Sequence, residues 1–174
     1  MRLLIISHTP HYLEGDKAYG WGPTVREIDF LSGLFDSVVH VAPLYSNQHS
    51  PTSVCYYSKN IKFSFVRPAG GPGLKSKLNL LWEIWGYVKV LRHELNQADC
   101  IHVRCPANIS LIALLLLGLK TKPRLRWIKY AGDWEPSRLD AWSYRFQRWF
   151  LRNNFHRGWV TVNGEWSEMP GHIK

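Results

Sequence analysis

Six short apolar runs punctuate the chain, at residues 2–7, 37–42, 61–66, 99–104, 125–131 and 159–162. Several are apolar at successive positions, the mark of strands buried on both faces. Helical patterns fill the gaps. Thr24 and Glu27 have capping-box spacing, and Val25, Ile28, Leu31 and Leu34 follow at helical period. Over 75–96, Leu78, Leu81, Trp82, Trp85, Val88 and Leu95 fall on one stripe, preceded by a loop rich in Gly and Pro. Residues 108–119 form a hydrophobic helix. Residues 138–153 form an amphipathic one, with Leu139, Trp142, Phe146, Trp149 and Phe150 on its apolar side and most arginines beside or behind it. Strands alternating with helices predict one α/β domain with a doubly wound, mostly parallel sheet and helices on both faces. Right-handed crossovers collect the strand-to-helix loops at one edge, and ligands bind outside the carboxyl ends of such strands. That singles out residues 8–23, 43–46, 104–108 and 132–136.

The first of these loops contains Gly15, Gly20 and Gly22, which would let backbone N–H groups approach a phosphate. They do not spell GxGxxG, and the loop exceeds a dinucleotide turn. The second strand runs into Ala42-Pro43-Leu44, with no acid to hold a ribose, so a nicotinamide cofactor is not expected. P-loop and GxSxG motifs are also missing.

Composition adds two points. Nine tryptophans exceed what one small core holds, so some should line a groove or a docking face. The net charge of +9 attracts phosphate, anionic lipid or nucleic acid. No nucleic-acid motif accompanies it, so nucleic acid is not an expected partner. Three cysteines without CxxC point to a reducing compartment. Cys100, His102 and Cys105 lack an obvious fourth ligand, and His8 and His11 flank Pro10 on a loop, so neither set reads as a metal site. No cofactor is expected. The run 109–119 is about half the ~20 residues that a bilayer requires. The expected location is cytoplasmic, including the cytoplasmic face of a membrane.

The order of segments resembles the N-terminal domain of retaining glycosyltransferases with the GT-B fold. The resemblance rests on Arg2-Leu3-Leu4-Ile5-Ile6-Ser7, the glycine-containing loop to Gly20-Trp21-Gly22-Pro23 and the helix after it. It continues in His102-Val103-Arg104-Cys105-Pro106 and Tyr130-Ala131-Gly132-Asp133-Trp134. It implies a Rossmann-like, acceptor-side domain over 1–174, with the nucleotide-sugar-binding C-terminal domain absent. Gly20 and Gly22 would face the donor, Arg104, Trp134 and Glu135 the acceptor, and Asp133 would be catalytic. Many members have His-Gly where this chain has Ala131-Gly132, so Asp133 would take over part of the polar role of the usual cleft histidine. The family's second domain carries two glutamates separated by seven residues, a spacing absent here.

Each of these residues also has a plain structural reading. Asp133 and Glu135 form an acid/base pair or are solvated, and Trp134 is a sugar-stacking platform or a plug. Arg104 binds an anionic acceptor or braces Asp133, and the glycines donate to phosphate or only make the turn. The implied partners are a nucleotide-sugar donor, a saccharide or lipid-linked acceptor, and a separate C-terminal half. The chain alone is expected to transfer no sugar. A basic, aromatic segment from Arg138 to Arg157 adds an anionic membrane surface as a partner. The alternative function is a non-catalytic docking or membrane-recruiting subunit for a separate catalytic half.

Overall fold

The computed structural model describes residues 1–47, 49–69, 74–135, 137, 140–164, 166 and 169–174, with the backbone alone at 74–78 and 80. The Gly-Pro loop at 70–73, Arg138 and Leu139 of the amphipathic segment, and the side chain of Leu78 lie outside the described residues.

Six strands, β1 (Arg2–Ile6), β4 (Ser37–Pro43), β6 (Ile61–Val66), β7 (Cys100–Cys105), β8 (Leu125–Tyr130) and β9 (Trp159–Val162), form one parallel sheet in the order β6-β4-β1-β7-β8-β9. All six were readable as apolar runs. The central strand β1 is paired on both sides, with Leu4 opposite Val39 and Ile101. Its alternation feeds two cores. Leu3 and Ile5, with Val38 and Cys100, pack under α1 (Gly22–Ser32) through Ile28. Leu4 and Ile6 join a larger core on the opposite face beneath α2 (Leu74–Leu95), α3 (Asn108–Leu119) and α4 (Trp142–Arg152). The fold is therefore a doubly wound α/β sheet. The outer edge of β9 is covered by the chain end, where Lys174 N donates to Val160 O at 2.8 Å.

Two local readings change. The loop after β1 folds into a three-stranded antiparallel sheet of β2 (His11–Glu14), β3 (Lys17–Trp21) and β5 (Ser53–Cys55). Gly15, at φ 58°, supplies the positive first position that a two-residue hairpin turn requires. The Thr24–Glu27 capping box does not form. Pro23, pre-set for the first helical turn, starts α1 at Gly22, so Thr24 lies inside the helix and Glu27 points to the sheet.

Candidate functional site

Numbered within the parallel sheet alone, the strand order is 3-2-1-4-5-6, and the winding reverses between β1 and β7. A crevice opens there because the loops leaving β1 and β7 turn to opposite faces. It is a cleft of about 310 Å³ lined by His8, Pro43, Tyr45, Val66, Tyr87, Asn108, Ile109 and Tyr144 among others. The residues come from the ends of four strands and from three helices or their flanks.

The start of α3 forms one wall. Its N-cap residue, Ala107, has no side-chain cap, and Ala107 N donates instead to Gln147 Oε1 of α4 at 3.3 Å. The first turn of a helix carries N–H groups without intrahelical partners, and its dipole favours electron-rich oxygen. Ser110 holds this turn in place by donating to Arg104 O at 2.5 Å. Tyr87 donates to Arg67 O at 2.8 Å, and burial pushes its phenol up to about 12. It therefore stays protonated at neutral pH.

His8 is the one imidazole among the described lining residues. Desolvation, and secondarily the charge of Arg104, lower its pKa. A neutral imidazole at the mouth of a cleft is suited to accept a proton or a hydrogen bond from a hydroxyl. Its loop is held from behind by a buried polar chain. Ser7 Oγ hydrogen-bonds His40 Nε2 at 2.8 Å and accepts from Thr9 N at 3.3 Å. His40 Nδ1 lies 3.4 Å from Tyr56 Oη, which is 2.8 Å from His11 Nε2, and His11 Nδ1 contacts Thr9 O at 2.7 Å. Burial lowers His11 to about 4 and His40 well below the ordinary value, and raises Tyr56. The chain is thus neutral. Ser7, fully buried, positions the loop rather than reacting.

None of the residues chosen from sequence is among the described residues that line the cleft. Arg104 is buried on β7, and its Nη1 lies 2.8 Å from Glu27 Oε1 of α1, while Lys129 of β8 contacts both Glu27 oxygens at 3.0 Å. Burial raises the Glu27 carboxyl, but the Lys129 hydrogen bond and the charge of Arg104 outweigh it and hold the pKa below the ordinary value. Arg104 therefore pairs with Glu27, a partner absent from either sequence reading. Gly20 lies within β3, where a Cβ would stand 3.1 Å from Val25 Cγ2 and 3.3 Å from His11 Nε2. Gly22 donates its N–H to Thr52 O at 3.1 Å. Both glycines serve close packing of the small sheet against α1.

Asp133 and Glu135 are exposed on the loop after β8, and Asp133 Oδ1 accepts from Glu135 N at 3.1 Å. Between them Trp134 is a plug. It is 2% exposed, meets Tyr130 edge-on at 5.2 Å and lies beneath Arg152 at 5.5 Å. Gly132 brings this loop against the β7 loop, since a Cβ there would stand 3.0 Å from Pro106 Cδ. Asp133 thereby sits beside the cleft without lining it.

Among the described residues, no three of His, Cys, Asp or Glu gather as a metal site, and no helix is long and apolar enough to cross a membrane. Sequence reasoning weighed His8 only as half of an HxxH pair and did not single out Tyr45, Tyr87 or Tyr144. The signal available was their place at strand ends or helix starts, which many aromatic residues share. No family model matches this chain, and neither does any curated protein.

Proposed function

We propose that this chain is the acceptor-side domain of a glycosyltransferase that moves a sugar from a nucleotide-sugar donor to a saccharide or lipid-linked acceptor. The observation that carries the reading is the cleft at the switch point of the sheet, with His8 and the open first turn of α3 on its walls. Its chemistry suits a sugar. Tyr45 and Tyr144 supply aromatic surface for the C–H side of a pyranose, and the α3 amides and His8 supply partners for its hydroxyls. In the reaction the acceptor hydroxyl oxygen forms a bond to the anomeric carbon, the bond from that carbon to the nucleotide phosphate oxygen breaks, and the hydroxyl proton passes to the departing phosphate. His8 accepts the hydrogen bond that orients that hydroxyl. Asp133 and Glu135, exposed on the loop after β8, are assigned in this reading a polar role beside the acceptor.

A donor-holding half must close over this edge, because transfer needs both substrates positioned together. The chain alone therefore binds acceptor weakly and turns over no nucleotide-sugar. The test is an amide-resolved NMR titration with a panel of simple glycosides. The reading expects shifts at His8, Asn108 and Tyr144, lost in His8→Ala. Shifts confined to the far edge of the sheet, or turnover of a nucleotide-sugar by the chain alone, would overturn it.

A further inference from the structure

The helix α4 buries polar side chains beside apolar ones and leaves two tryptophans outside. Its buried residues include Gln147 and Arg148 beside Phe150 and Leu151, whereas Trp142 and Trp149 stand 72% and 52% exposed. The aromatic stripe read from the sequence is thus divided: Phe150 is buried and Phe146 packs against the core, while Trp142 and Trp149 stand at the surface. The cause is Arg148, which pairs with Asp140 and donates to Tyr130 Oη at 3.0 Å, drawing the polar side of the helix against the loop. The rings of Trp142, Phe146, Trp149 and Phe155 follow one another with centroids 5.3, 5.4 and 5.2 Å apart. Beside this ladder, Leu119 of α3 is 86% exposed, and an apolar furrow of about 510 Å³ runs between the two helices.

We propose that this outer face of α3 and α4 docks onto an anionic lipid surface. Charge selects the occupant. Residues 100–132 and 141–164 contain no Asp or Glu. Arg145 of α4 and Lys122, three residues beyond Leu119, are exposed, and Arg157, also exposed, lines the furrow itself. Arg145 follows the exposed Trp142 by three residues, a spacing that makes the two positions neighbours on the helix surface. Indoles settle at the headgroup level, and arginines around them meet lipid phosphates. Protruding rings on a convex helix also suit a deformable interface better than a preshaped protein groove. The face is carried by different residues from the cleft, and the inference is independent of sugar transfer.

The test is co-sedimentation of the whole chain with vesicles of phosphatidylcholine alone and of phosphatidylcholine mixed with phosphatidylglycerol, at low and physiological salt. Binding is expected only to the mixed vesicles and falls as salt rises. Arg145→Glu combined with Lys122→Glu should lower the partition coefficient about ten-fold or more. Trp142→Ala combined with Trp149→Ala should lower it as well, with an unchanged far-ultraviolet circular dichroism spectrum for both double variants. Equal binding to the two kinds of vesicle, or to neither, overturns the proposal. So does a concentration-dependent dimer that Trp149→Glu abolishes, since a second copy would then cover the face.

Discussion

Arg148 reaches from the inward side of α4 to the main chain of Asp133, donating from Nη1 to the carbonyl oxygen at 3.2 Å. The same guanidinium holds Tyr130 at the end of β8 and Asp140 at the end of the loop. One buried charge thus fixes the strand end, the acidic loop and the helix that follows. Arg148→Met should cost about 2–4 kcal/mol, because three acceptors lose a charged donor while the methylene packing is kept. Urea unfolding checks this, and a loss within 0.5 kcal/mol, about the level of an ordinary surface substitution, would refute the pinning role.

Glu27 is the shared counter-ion of Arg104 and Lys129. Glu27→Gln leaves the buried Arg104 without its opposite charge, and a loss of roughly 1–3 kcal/mol is expected. The double variant with Arg104→Met should recover part of that loss. A double variant that is additive, with no recovery, would mean the pair is not coupled.

Stability should fall in mild acid. His11 and His156 are held neutral, with burial lowering both to about 4, and burial lowers His102 to about 3. Their folded values lie below the unfolded value of about 6.5, so the unfolded state takes up protons first. Their contribution is complete above about pH 6.5 and is lost as pH falls toward 4. Each group contributes a slope of roughly 1.4 kcal/mol per pH unit inside that window. The urea midpoint should therefore drop steeply between pH 6.5 and 5, and a flat midpoint there would contradict the buried neutral state.

Asp133 and His8 separate folding from function. Both side chains are exposed, so Asp133→Asn and His8→Ala should each change stability by less than about 0.5 kcal/mol. Asn can still accept the Glu135 N–H that Asp133 holds. In an enzyme reconstituted with a donor-holding half, His8→Ala should lower turnover at least about ten-fold, and Asp133→Asn by less. The reverse ranking would move the acceptor hydroxyl from the cleft to the loop.

The six parallel strands and their helices were legible because burial on both faces leaves a local trace. Leu3 to Ile6 are apolar at every position, and such a run admits few alternatives. The hairpin sheet was not legible. Its strands are three to five residues long, with Gly20 inside one, too short for alternation to show. The site was legible only to the level of an edge. Strand-end loops could be named in order, but the meeting of His8, Tyr45, Asn108 and Tyr144 depends on the strand order, which places distant segments side by side.

Local pattern determined which residues are apolar and at what period, and with it the class of fold. Only the tertiary structure decided which side of each element faces inward. Thr24 and Glu27 have the spacing of a cap, yet Pro23 starts the helix earlier and the cations of β7 and β8 claim the carboxylate. The aromatic stripe of α4 has the spacing of a core face, yet Arg148 turns the helix about its axis and leaves Trp142 and Trp149 in the solvent. In both places an ion pair outweighs a pattern of neighbours, Glu27 with the cations of two strands and Arg148 with Asp140 of the loop before α4, because a buried charge left unpaired is costly.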